Sequence, residues 1–251
     1  MSESPPVPTP EPISPEKPGG FFQNLIDIYF APREAFSRIV AHPNWVLPLV
    51  GATILGLAFT GIWLQRVDMP EFVESQIKEQ GQWDNIPVER RGAIIEQQAK
   101  IIPIVSWISA VVGPLIFYAI VAALLLFIYK FFYAGAVSFK QSLSITAWSM
   151  FPVGLVTTPL MLLIFWLKED WNLNPQNVLQ ANLSLLLDKA ETAKPLWALA
   201  TSLDLVSFWI MALLATGFGV AIKKSTGSTL WGVAIPWAIM VAIKVGWTAI
   251  F

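Results

Sequence analysis

Five stretches of this chain are too long and too free of charge to fold in water: residues 45–64, 103–129, 145–167, 196–222 and 230–251. A helix rises 1.5 Å per residue, so about 20 apolar residues cross a hydrocarbon core of roughly 30 Å. Each stretch reaches that length. Inside a bilayer no water is at hand for backbone N–H and C=O groups, and a helix satisfies them within one segment. The expected fold class is therefore all-α: a polytopic membrane bundle of five transmembrane helices, preceded by short interfacial amphipathic helices. Composition agrees. Hydrophobic residues make up 55% of the chain and charged residues 13%, against about 25% charged in soluble domains.

The segments between and before these spans divide the chain. Residues 1–20 are polar and Pro-rich without an apolar core, which predicts a disordered tail rather than a cleaved leader, so that targeting would fall to the first span. A PxxP-type docking peptide is the functional alternative for this tail. Residues 21–44 form the next unit. Phe21, Phe22, Leu25, Ile26, Tyr29 and Phe30 share one helical face, Pro32 interrupts, and Ala35, Phe36, Ile39 and Val40 then oppose Arg33, Glu34 and Arg38. Each piece is too short and too polar to cross, so it is expected to lie in the interface, with packing on the bundle compatible with that. Its removal with the tail, residues 1–41, is expected to spare bundle folding.

The remainder, 45–251, is read as one membrane domain. Its loop 65–102 predicts two short amphipathic helices opening at Pro70 and Pro87, the second running towards the next span. In the loop 168–195, NLSLLLDKA predicts one more. Trp45, Trp107, Trp166, Trp171, Trp197, Trp231 and Trp247 lie near span ends, where indole prefers the headgroup zone. Prolines 114, 152, 159 and 236 fall within spans and predict kinks.

Orientation follows from the short loops. Residues 130–144 and 223–229 carry Lys130, Lys140, Lys223 and Lys224 and no acid, whereas the longer loops mix both signs. The positive-inside rule then places the N-terminus in the cytoplasm and the C-terminus outside.

Two charges interrupt the apolar runs. Asp204 lies eight residues after Leu196, and Lys244 seven before Phe251. At the helical rise, both sit roughly 10–12 Å from the same side. An ionised group near mid-bilayer costs about 2.5–3.5 kcal/mol on insertion scales, so an Asp204–Lys244 ion pair between antiparallel helices is the expectation. Snorkelling of Lys244 to the headgroups and a proton or substrate relay are the other readings open to these residues.

Catalytic constellations are missing. There is no HExxH, no GxSxG and no Walker-type loop, and the single histidine is His42. The chain has no cysteine, hence no thiolate chemistry, and a net charge of −1 argues against nucleic acid as a partner. No enzyme activity, metal or cofactor is expected.

Three motifs carry a resemblance. Lys130-Phe131-Phe132 followed by GAVSFKQSLSITAWSMFP (135–152), then SLDLVSFWIMALLATGFGVAIKKSTGSTLWGVAIPW (202–237), and the leading Pro32-Arg33-Glu34-Ala35-Phe36 with Pro43-Asn44-Trp45 together resemble the YIP1 family in its bacterial branch, over most of residues 22–251. The resemblance implies a five-helix membrane domain with a cytosolic N-terminus, no established reaction, and the bacterial inner membrane as location. Eukaryotic relatives are linked to Rab GTPases and vesicle trafficking. Their Asp-Leu-Tyr-Gly-Pro segment is absent here, echoed only by Asp27-Ile28-Tyr29-Phe30, which argues against a GTPase partner. The expected role is a non-enzymatic protein that organises or shapes membrane or serves as a scaffold, with the lipid bilayer, protein partners or other copies of itself as contacts. The alternative is a small transporter or channel using Asp204 and Lys244 in a polar intramembrane site.

Overall fold

Sequence punctuation sets most helix ends in the computed structural model, which describes residues 19–179, 181–188 and 191–250. Helices α1 (Phe21–Phe30) and α2 (Pro32–Ala41) part at Ala31, because Pro32 can open a helix but not continue one. The first long helix, α3 (Val46–Leu64), ends before Gln65-Arg66. Asp68 starts α4 (Met69–Glu79) by accepting the Glu71 N–H at 3.1 Å. Helix α5 runs from Val88 to Phe131. Ser138 and Gln141 cap α6 (Phe139–Lys168) reciprocally, and Glu169 closes it in the left-handed region. A single turn, α7 (Pro175–Val178), leads to α8 (Lys194–Ser202), α9 (Leu205–Ala221) and α10 (Thr226–Ile250).

Among the described residues, four helices are long and apolar enough to cross a membrane: α3, α5, α6 and α10. The fold is an all-helical membrane bundle, as the apolar pattern requires. Three boundaries differ from the expectation. The second span and the amphipathic segment before it are one helix of 44 residues, about 66 Å long; nothing between Glu89 and Pro103 breaks it. The span expected at 196–222 is divided into α8 and the 17-residue α9. The helix expected over NLSLLLDKA is a 3₁₀ turn, Leu183–Leu186.

Helices α3, α5 and α6 pack on one another; α6 also meets α9, α9 meets α10, and α10 meets α8. Helix α6 makes close approach possible with small polar residues. Ser142, Ser144, Thr146 and Ser149 are all buried, and the Ser142 hydroxyl donates to the Ala122 carbonyl of α5 at 2.7 Å. A main core forms at one end of the bundle, from α1, α2, the last turns of α5 and α9, and the first turns of α6 and α10. A second cluster at the other end joins Trp63, Phe72, Val73, Ile77 and Phe165, with the Trp171 ring stacked on Phe165 at 5.2 Å.

The segment 21–41 is more deeply engaged than a peripheral helix. Ile28, Ala35, Phe36 and Ile39 are at most 2% exposed. Phe36 sits beside Gly217 of α9 and Ile39 in the same core. The Arg38 guanidinium locks the two helices together, donating to Asn24 Oδ1 at 3.0 Å and to the Asp27 carboxylate. Removal of residues 1–41 therefore strips side chains out of the main core, contrary to the expectation that folding would be spared. The Pro-rich tail reading covers residues 1–20, and all of it but Gly19 and Gly20 lies outside the described residues.

Candidate functional site

The divided fourth span is a local consequence of competing partners. Asp204 has extended backbone, and its Oδ1 accepts the Ser207 N–H at 2.8 Å, so it is the N-cap of α9. A carboxylate in this position satisfies an N–H that has no partner within the helix. Asn182 pairs with Asp204 in an isolated antiparallel bridge. The Leu205 N–H reaches the Ala181 carbonyl at 3.0 Å, and the Leu183 N–H reaches the Leu203 carbonyl at 3.4 Å. Irregular backbone at this depth is tolerable only when other protein groups complete it, and the 181–183 strand-like stretch does so. The same pairing draws residues 182–188 out of a helix.

Lys244 comes to the C-terminal end of α8. Its ammonium donates to Thr201 Oγ1 at 3.1 Å and to Ser202 Oγ at 3.0 Å. Those hydroxyls have already directed their own protons to the Ala198 carbonyl, at 3.0 and 2.7 Å. They therefore offer Lys244 lone pairs without neutralising it. Asp204 and Lys244 thus lie on the same helix break but take different partners, carboxylate to the α9 cap and ammonium to the α8 hydroxyls. Ion pairs among the described residues include Arg38–Asp27, Lys78–Glu74 and Lys100–Glu96.

Asp204 can be tested as a cap. Replacement by alanine should lower bundle stability by about 0.5–2 kcal/mol, while asparagine, an equally good cap, should stay close to wild type. If Asp204 acted through its charge on Lys244, asparagine would lose as much as alanine. Denaturation with sodium dodecyl sulfate in mixed micelles reads the difference.

Lys244 also lines a cavity of about 770 Å³ at the α4–α8 end, together with Lys168, Lys194 and Glu79. Sequence reading found Lys244 from its charge in an apolar run, but not Thr201, Ser202 or Lys168. The signal available was the hydroxyl pair directly before Leu203-Asp204 and the amide-rich run from Asn174 to Asn182. Among the described residues, no group of three or more His, Asp or Glu side chains is placed to hold a metal ion.

At the opposite end, α1 shows two apolar faces. One side enters the core through Ile28, and the Tyr29 hydroxyl donates to the Pro152 carbonyl at 2.6 Å. Burial raises the Tyr29 pKa above the usual phenol value, which keeps the group a donor. The other side carries Phe22, Ile26 and Phe30, which are 75%, 56% and 84% exposed to whatever surrounds the bundle. Their spacing, four residues at each step, aligns them in one stripe. Beside it, Phe21 closes an apolar groove lined by Val50, Gly51 and Ile54 of α3 and Phe151 and Leu155 of α6.

A family model described as the Yip1 domain matches residues 26–246. No curated protein and no solved structure matches the chain.

Proposed function

This chain belongs to the Yip1 family, and from that premise we propose that it is a non-enzymatic membrane organiser, shaping one leaflet through α1 and serving as a scaffold for protein partners or further copies of itself. It is an integral membrane protein, with its long apolar helices in contact with lipid. The reading places it in a bacterial inner membrane with the N-terminus in the cytoplasm and the C-terminus outside. Lys130, Lys140, Lys223 and Lys224, at the end of the bundle that holds α1 and α2, support that orientation.

The observation that carries the proposal is the Phe22, Ile26, Phe30 stripe. Each such side chain gains about 1.5–3 kcal/mol on leaving water, so the stripe favours the acyl boundary over solvent. The opposite face of α1 is held by the bundle, and α2 is tied to α1 by Arg38. A helix anchored in this way cannot sink or drift. It adds area to one leaflet only, which is the physical requirement for bending or sorting a membrane.

A GTPase partner at Asp27-Ile28-Tyr29-Phe30 is not favoured. Asp27 is bound to Arg38, Ile28 is buried, and Tyr29 is bound to Pro152. Transport is not favoured either, since the Asp204 carboxylate is engaged in capping and does not line the cavity that Lys244 lines.

Replacing Phe22, Ile26 and Phe30 together by serine should leave the bundle folded, because none of the three is buried in it. On reconstitution into liposomes, the wild type should narrow or tubulate vesicles and the triple variant should leave them round. Equal deformation by both proteins would end this reading.

A further inference from the structure

We propose that the cavity at the α4–α8 end is a binding site for the phosphate of an anionic glycerophospholipid, with Lys168 and Lys244 as its principal cations. This goes beyond the role of α1, and it rests on different residues at the other end of the bundle. Lys168 is the last residue of α6, a helix long enough to cross the membrane. The cavity therefore lies where hydrocarbon gives way to headgroups. Its volume of about 770 Å³ is in the range of small-molecule sites.

Charge selects the ligand. Among the described residues lining the cavity, the ionisable ones are Lys168, Lys194 and Lys244 with Glu79, a lining that favours an anion. Lys244 matters most because of how it is held. Thr201 and Ser202 take two of its three N–H groups through oxygen lone pairs, and their protons go to Ala198. The ammonium is thus fixed in place by two neutral acceptors, with one N–H left for a ligand. A snorkelling lysine free in the headgroup layer would not need two hydroxyls. Gln176 and Asn177 add carboxamide donors to the lining.

A lipid fits better than a soluble anion because of what flanks the cavity. Leu196 and Leu199 of α8 and Ile243 and Trp247 of α10 expose apolar surface on the two helices that also line the cavity through Trp197, Thr201 and Lys244. Acyl chains would lie along them while the phosphate meets the ammonium groups. Basic pockets between membrane helices recognise anionic headgroups by this combination of charge and position.

The test uses the full chain in neutral detergent micelles, with native mass spectrometry of bound lipid. Dioleoyl phosphatidylglycerol and dioleoyl phosphatidylcholine are supplied at equal mole fraction, and inorganic phosphate or chloride at matched ionic strength as competitor. The wild type should retain phosphatidylglycerol over phosphatidylcholine. The double variant Lys168→Gln, Lys244→Gln should retain about twenty-five-fold less phosphatidylglycerol, on a scale of about fivefold per lysine near an anionic surface. Glu79→Gln should increase retention, an opposite change that keeps the test decisive if a lysine variant folds poorly. Equal retention of the two lipids by the wild type, no loss in the double variant, or a loss in Glu79→Gln would overturn the proposal. Displacement by inorganic phosphate but not chloride would also overturn it, because the site would then be one for a soluble anion.

Discussion

Truncating Phe36 to alanine should lower the stability of the folded bundle by about 3–5 kcal/mol, the range for removing a buried aromatic side chain. The site cannot collapse to fill the gap. Phe36 is fully buried, and its ring lies against Gly217 of α9, where an added Cβ would come within 3.0 Å of the ring and 2.5 Å of Ile145 Cγ2. Three helices therefore meet at one glycine, with the Phe36 ring as the filler. Two further reasons put the loss at the upper part of the range. Helix α2 carries Arg33 and Glu34 on its other side, so once loosened it would turn to the aqueous interface and expose its apolar face to water. The lost contacts also join α6 to α9, so the defect is not confined to α2. Sodium dodecyl sulfate titration of the reconstituted protein reads the change directly. A shift within the roughly 0.5 kcal/mol typical of surface positions would mean that α2 is a peripheral appendage after all.

The pattern of residues alone does not reveal this dependence on Phe36, although it does reveal the spans. Spans are legible because burial in oil depends on local composition. Residues 46–64 hold no charge, and Gln65-Arg66 close them. The polar–apolar alternation of 32–41 is equally legible as an amphipathic helix. What it rests on is not local: Gly217, which makes room for Phe36, is 181 positions away in the chain. The break before Asp204 shows the same limit. A continuous run from Leu196 to Ile222 satisfies every rule for a spanning helix except one charge. The alternative becomes favourable only because residues 181–183 are present to receive the backbone groups that the break releases.

Depth arithmetic brings Asp204 and Lys244 to the same side of the membrane, and both do sit at the α8–α9 break. Which atoms they bind is beyond that arithmetic. A hydroxyl two or three residues from a carboxylate is close to it at the resolution of helical rise, yet it decides whether a lysine meets a countercharge or only lone pairs. Thr201 and Ser202 give Lys244 lone pairs and no countercharge, and that difference puts a lysine without a carboxylate partner on the lining of a cavity.

Tyr129 and Gly232 should show the largest coupling in the protein. The Tyr129 ring stacks on Phe218 at 4.2 Å, with an interplanar angle of 15°, and its hydroxyl donates to the Thr229 carbonyl at 2.6 Å. Its other face is covered by Gly232, where an added Cβ would lie 2.9 Å from Cε1, Cζ and Oη of the ring. Tyr129→Ala should destabilise by about 3–5 kcal/mol, since it empties a buried aromatic site. Tyr129→Phe removes only the hydrogen bond and should lose about 1 kcal/mol. Gly232→Ala presses a methyl group into a ring that Phe218 prevents from yielding, for a loss of about 1–3 kcal/mol. In the double variant the sign of the second change should reverse. With the ring gone, the methyl group introduced by Gly232→Ala enters the vacated space, so that substitution should stabilise the Tyr129→Ala background. Contacting residues commonly couple by about 0.5–3 kcal/mol, and the effects of independent residues add. Strict additivity in the four-variant cycle would mean that α5 and α10 do not share this contact, and with it the packing of the whole lysine-bearing end would have to be redrawn.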